Sequence, residues 1–174
     1  MSVGLLILRL VVGLGLAAHG AQKLLGWFGG YGIAGTGKYF EQQLGFRPGR
    51  LFAVQAGLAE ALGGLFLAAG FLTPAAAAAV VAVMLVAAVS AHLKAGFFAH
   101  SGGYEYTLVL SAAAVTLAFT GPGALSLDHA LGISWSGETW GLFALVAGLV
   151  CGWYRSRQPT RTSSGRPMLE RASL

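Results

Sequence analysis

The sequence predicts an all-α protein that crosses a membrane several times, and its composition and the length of its apolar segments both support this class. Of its 174 residues, 56% are hydrophobic and only 10% are charged, with a mean hydropathy of +0.70. Soluble domains carry about 25% charged residues. The 27 glycines suit helices that pack closely in lipid. We therefore predict a polytopic transmembrane helical bundle, with four core helices and a C-terminal fifth span.

Five apolar segments approach the ~20 residues that a helix needs to cross a bilayer. They cover residues 3–25, 51–72, 75–97, 104–119 and 139–154. Pro74 separates the second segment from the third, and Gly121-Pro122-Gly123 ends the fourth. The fifth segment is short and has tryptophans around it, so it could instead lie in the membrane interface.

The predicted spans divide the chain into three regions. Residues 1–128 form the four-helix core, residues 129–154 form a loop and the fifth span, and residues 155–174 form a basic, disordered cytoplasmic tail. The long loop after the first span mixes aromatic and charged residues over 37–45, which is typical of a short interfacial amphipathic helix.

The positions of the basic residues predict the orientation. With five spans, every Lys and Arg except Arg9 falls on one side, and the tail from Arg155 to Arg171 carries five of them. Because cytoplasmic loops are rich in Lys and Arg, we expect an external N-terminus and a cytoplasmic C-terminus. The same distribution along membrane flanks argues against nucleic-acid binding, although the net charge is +5.

The chain also places ionisable residues within or at the ends of its apolar helices. They are Arg9, His19, Lys23, Glu60, His92 and Glu105. A charge at mid-bilayer costs at least ~2.5–3.5 kcal/mol, so such residues face the bundle interior and find partners there. From a rise of ~1.5 Å per residue, Arg9 and Glu60 are offset by ~7 Å along the bundle axis. An extended Arg side chain can span this offset, and we expect the two residues to form a buried ion pair.

The other four residues, His19, Lys23, His92 and Glu105, lie nearer the cytoplasmic side, and we expect them to form an intramembrane polar binding cluster. Such a cluster suits a quinone head group or a proton relay. The competing interpretation is that these side chains only pair with one another or with nearby groups and bind no ligand. Haem is disfavoured and no metal is expected, because no Cys, Met or Asp joins the histidines at ligand spacing and CxxCH is absent.

Several motifs occur in an order that resembles the DoxX family over residues 3–128. They are Arg9-Leu10, His19-Gly20-Ala21-Gln22-Lys23, Gly26-Trp27-Phe28-Gly29-Gly30, Ala56-Gly57-Leu58-Ala59-Glu60, Gly102-Gly103-Tyr104-Glu105-Tyr106 and Ser126-Leu127-Asp128. The resemblance implies a small multi-pass protein of the inner (cytoplasmic) membrane, linked to oxidoreductase systems. Members of one branch of the family are a membrane subunit of thiosulfate:quinone oxidoreductase, and members of another form a membrane complex with detoxifying enzymes.

The resemblance implies a membrane subunit or anchor of a quinone- or thiol-linked oxidoreductase complex, with the lipid bilayer, redox proteins or a second copy of the chain as partners. The residues alone leave two other functions open, a small-solute transporter or channel and a non-catalytic scaffold. They also leave open whether the chain is itself an enzyme. Cys151 is the only cysteine, so dithiol exchange within one chain is excluded.

Overall fold

The structure is a computed structural model that describes residues 2–157, and all regular structure in that range is helical. The helices are α1 (Ser2–Leu25), α2 (Gly32–Gln42), α3 (Gly49–Ala69), α4 (Thr73–Ala87), α5 (Glu105–Thr120), α6 (Leu127–Ala130) and α7 (Glu138–Ser156). A π-helical turn, Ala88–His92, and a 3-10 turn, Leu93–Ala95, extend α4. The predicted all-α class is confirmed, while most of the predicted tail, residues 158–174, lies outside the described residues.

Three of these helical segments are long and apolar enough to cross a membrane. They are Val3–Leu25, Gly49–Ala69 and Thr73–Ala95, and the apolar helix Glu105–Thr120 is shorter. Large apolar side chains also cover the outside of the bundle; Val11, Val109 and Val146 are each more than half exposed. An apolar exterior of this extent belongs in lipid. By length and composition, three helices among the described residues qualify as spans, which is fewer than the five predicted. That α5 and α7 also cross the membrane stays a prediction.

Close packing of α1 on α3 depends on glycines that face each other across the antiparallel pair. A methyl group added at Gly13 would lie 2.5 Å from the Gly64 carbonyl oxygen, and one at Gly20 would lie 2.6 Å from the Gly57 carbonyl oxygen. No side chain larger than hydrogen fits there without moving a backbone. The two contacts therefore fix the register of α1 against α3.

The turn between α3 and α4 is held from a distant part of the chain. Gly70 ends α3 in the left-handed conformation, and α4 begins at Thr73. The buried carboxylate of Asp128 accepts hydrogen bonds from the backbone N–H groups of Leu72 and Thr73, at 2.7 and 3.0 Å, and from the Thr73 hydroxyl. These groups would otherwise be unpaired at the start of a helix, where a negative charge is also favourable.

The remaining helix, α7, packs along α4 through two more glycines. A methyl group added at Gly148 would lie 2.6 Å from the Val81 side chain, and one at Gly152 would lie 2.8 Å from the Ala82 carbonyl oxygen. The core between α1, α3, α4, α5 and α7 is built of small and branched residues, with Leu16, Val80 and Leu117 fully buried. Short side chains in this core let the helices approach closely.

The glycine register gives a prediction with a control on the same helix. Gly13→Leu should lower the apparent melting temperature in detergent strongly, because the side chain would overlap the α3 backbone and overpacking costs ~1–3 kcal/mol or more. Gly15→Leu should have little effect, since nothing lies within 4 Å of a methyl group there. Thermal denaturation followed by size-exclusion chromatography would measure both variants, and equal melting temperatures would contradict the assigned register.

Candidate functional site

A cavity of about 430 Å³ opens between the helices near the C-terminal ends of α1 and α4. Helices α1, α2, α3, α4, α5 and α7 all contribute to its wall, which is mostly apolar. Its polar lining residues are His19, Lys23, Tyr39, Gln55, Glu60, Ser90, His92, Tyr106, Thr107, Cys151 and Arg155. A mostly apolar cavity with a few polar groups is the usual form of a small-molecule site.

Two of the charged residues in this wall form an ion pair between α1 and α3. Lys23 Nζ lies 2.5 Å from Glu60 Oε2, with the Lys23 side chain 24% exposed and that of Glu60 only 5% exposed. Each residue supplies the charge that the other needs in an apolar setting. The pair therefore ties the two helices together and places a polar group on the cavity wall.

The expected Arg9–Glu60 pair was wrong, and the direction of helical side chains explains the error. Helical side chains lean toward the N-terminus of their own helix. In an antiparallel pair, Lys23 and Glu60 therefore lean toward each other, near the level of Gly20 and Gly57. Arg9 leans away, toward the start of α1. The prediction compared only the depths of the residues along the helix axis, and it left out this lean of the side chains.

Arg9 instead reaches the turn between α3 and α4. Its side chain is 1% exposed, donates a hydrogen bond to the Leu125 carbonyl oxygen and occupies the space that a methyl group on Gly70 would take. Its Nε and Nη1 atoms have no hydrogen-bond partner among the described residues, and Asp128 supplies the nearby negative charge. Arg9, Gly70, Thr73 and Asp128 thus form a buried group at this turn, the Asp128 cluster, and Arg9 does not line the cavity.

The two histidines of the predicted cluster both line the cavity. His19 Nδ1 lies 3.0 Å from Gln22 Oε1, and its ring makes an edge contact with Tyr106 at a centroid distance of 6.0 Å. His92 is the last residue of the π-helical turn, and its Nδ1 lies 2.7 Å from the Gly102 carbonyl oxygen. π-Helical turns frequently occur at functional sites.

Glu105 occupies a different position from the other three residues of the predicted cluster. Its carboxylate accepts a hydrogen bond from the Ala99 backbone N–H at 2.8 Å, and the residue is not part of the cavity wall. Together with the bond from His92 to Gly102, this contact holds the segment between α4 and α5 in place. The structure therefore brings His19, Lys23 and His92 together in one wall, whereas Glu105 is the first residue of α5 and its carboxylate bonds to the loop before that helix.

Sequence reasoning missed the parts of the cavity that come from outside the expected cluster. Cys151 and Arg155 reach it from the last turns of α7, where the Arg155 guanidinium lies 4.9 Å from the centre of the Phe52 ring. Tyr39 and Phe40 reach it from α2. Two signals were available in the sequence. Cys151 and Arg155 are four residues apart and so share a face of α7, and Tyr39 and Phe40 belong to the predicted interfacial helix. Among residues 2–157, no three His, Cys, Asp or Glu side chains lie close enough to hold a metal ion.

The ion pair gives a double-mutant prediction. Glu60→Leu or Lys23→Met alone should destabilise the protein by about 3–5 kcal/mol, because each leaves a buried charge without its partner. The two changes together should recover most of the loss, whereas Lys94→Met, at an exposed position, should change little. Thermal stability in detergent would measure this coupling.

The same cycle on Arg9→Met and Glu60→Leu should be additive within ~0.5 kcal/mol, as for sites without shared partners. A coupling energy larger for Arg9 than for Lys23 would contradict the observed pairing.

Comparison with known proteins supports the sequence resemblance. No curated protein and no solved structure matches this chain. A family model, described as DoxX, matches residues 4–93, which include α1, α2, α3 and α4 with the residues of the ion pair and both cavity histidines. Helix α7 lies beyond the matched residues. On this match and on its apolar helices, the chain is an integral membrane protein that belongs to the DoxX family.

Proposed function

We propose that this protein is the membrane-embedded subunit of an oxidoreductase complex and that its cavity binds a quinone-class ligand. The cavity is the observation that carries the proposal. Its volume of about 430 Å³ falls within the ~300–1,000 Å³ range of small-molecule sites. It lies in the bundle near the ends of three helices that are apolar enough to span a membrane.

The chemistry of the wall favours a ring with a polar edge and an apolar tail. Leu16, Phe52, Val83 and Leu110 present apolar surface to the cavity, whereas the Lys23–Glu60 pair and the two histidines provide polar contacts. A small polar solute would leave most of this apolar lining in contact with water, at a cost of about 25 cal/mol per Å². A lipid-soluble ring compound would cover it.

The redox part of the proposal comes from the family, whose members are associated with oxidoreductase systems. One cysteine cannot form an intrachain disulfide, so electrons for a bound quinone would come from a partner protein. The described residues contain no group suited to hold a metal ion. The proposed role is therefore to hold and orient the lipophilic ligand while a partner carries out electron transfer.

We place the protein in the inner membrane with its N-terminus outside and its C-terminus in the cytoplasm. All Lys and Arg residues except Arg9 then lie on the cytoplasmic side of a five-span bundle. A reporter fused after Leu174 should be active in the cytoplasm, and one inserted into the 121–137 loop should report the opposite side. Both reporters on one side would contradict the crossing of α7.

A cavity-filling variant tests ligand binding. Protein purified in mild detergent should retain a quinone-class compound on solvent extraction, and Ala56→Phe should reduce its retention at least about tenfold, the effect of ~1.4 kcal/mol. Ala56 lines the cavity one turn before Glu60. The matched control is Ala112→Phe on α5, where the alanine is exposed on the outside of the bundle. Extraction of phospholipid alone, in equal amounts from all three proteins, would contradict the proposal.

A further inference from the structure

The hydrogen bonds around His19 determine which of its ring nitrogens carries the proton. Gln22 Nε2 donates to the Phe28 carbonyl oxygen at 3.2 Å, and a carbonyl oxygen only accepts. The amide nitrogen of Gln22 therefore faces Phe28, and its oxygen, Oε1, faces His19 Nδ1 at 3.0 Å. Since Oε1 also only accepts, His19 Nδ1 must carry the hydrogen. In the neutral ring, Nε2 is then an acceptor without a hydrogen.

His92 is held in the same tautomer by a different group. Its Nδ1 lies 2.7 Å from the Gly102 carbonyl oxygen, so Nδ1 again donates and Nε2 is the free acceptor of the neutral ring. Both residues line the cavity, and neither Nε2 has a hydrogen-bond partner among residues 2–157. The cavity is thus lined by two imidazoles that are both set to accept a hydrogen bond.

The two cationic donors on the wall, Lys23 and Arg155, both have partners within the protein. The Lys23 ammonium lies 2.5 Å from the Glu60 carboxylate, which satisfies its charge. The hydroxyls of Tyr39 and Tyr106 can donate or accept, so they do not favour either kind of ligand. Arg155 and Gln55 also bring N–H donors to the wall, and a hydroxyl can accept from them as a carbonyl oxygen can. The two Nε2 atoms are the groups that only accept, and a ligand that fills the cavity without donating would leave both of them unpaired.

We infer that the cavity selects a ligand with a hydroxyl-bearing ring, and that it binds the hydroquinone form in preference to the quinone form, with His19 Nε2 accepting the ring hydroxyl. This rests on the proposed function, because it concerns the ligand of the same cavity. A quinone offers only carbonyl acceptors, whereas the hydroquinone of the same skeleton offers O–H donors. Leaving a polar group unpaired in an apolar site costs more than the bond itself contributes.

The test compares two probes that differ only in these groups, decyl-benzohydroquinone and decyl-benzoquinone, binding to the full chain in detergent. Calorimetry under anaerobic conditions should show at least about tenfold tighter binding of the hydroquinone. His19→Phe keeps a ring but removes this acceptor, so it should lower the affinity for the hydroquinone and bring the ratio of hydroquinone to quinone affinity closer to one, while the quinone still binds. His100→Phe, at an exposed position outside the cavity wall, should change neither affinity.

The possible outcomes separate this inference from the proposed function. Quinone binding that equals or exceeds hydroquinone binding would overturn the inference while the proposed function stands. Failure of both probes to bind the wild-type protein would overturn both. Loss of binding of both probes in His19→Phe would indicate a packing role for the ring and would also overturn the inference.

The tautomer can be measured without a ligand. Nitrogen-15 NMR of protein labelled at histidine should show His19 in the Nδ1–H form, assigned by its loss in His19→Phe. Gln22→Leu removes the acceptor that holds this tautomer and should shift His19 toward a mixture of the two forms. A wild-type His19 protonated at Nε2 in its neutral form would contradict the inference directly.

Discussion

A charge buried between apolar helices has to find its counter-charge inside the protein, and the arrangement of this bundle depends on how Lys23 and Glu60 meet that requirement. Their ion pair joins α1 to α3 at the level where Gly20 packs on Gly57. Two glycine contacts let the helix backbones approach, and the approach brings the ammonium to the carboxylate. A larger residue at Gly20 or Gly57 would move the ammonium away from the carboxylate, because the ion pair forms only in the helix register that the glycine contacts set.

At the opposite end of the bundle, the buried charges of Arg9 and Asp128 also find partners inside the protein, and these are mainly backbone groups. Asp128 accepts three hydrogen bonds from the start of α4, and Arg9 lies beside it under Gly70. This cluster fixes α4 against α1 at one end, while the Lys23–Glu60 pair fixes α3 against α1 at the other. The cavity lies toward the end of the ion pair, where α2 and the last turns of α7 contribute to its wall.

The helices could be predicted well because they depend on local properties of the sequence. Apolar length and the breaks at Pro74 and Gly121 located α1, α3, α5 and α7 within a few residues, and also α4 when the turns that extend it to Ala95 are included. The abundance of glycine predicted close helix packing, and Gly13, Gly20, Gly57 and Gly64 provide it between α1 and α3. The partners of the charges could not be predicted in the same way. Arg9 donates a hydrogen bond to the carbonyl oxygen of Leu125, 116 positions later in the chain. No local sequence pattern predicts a contact over that separation. Glu105 was assigned to the site by depth, but its carboxylate serves the loop backbone.

The most direct test of this account is an experimental density map of the protein in nanodiscs prepared from its own membrane lipids. We predict an elongated density in the cavity, with its wider, ring-shaped end against His19 and the Lys23–Glu60 pair and its tail along the apolar wall. A map in which the helices close the cavity, or in which Glu60 and His19 face the lipid, would contradict the account.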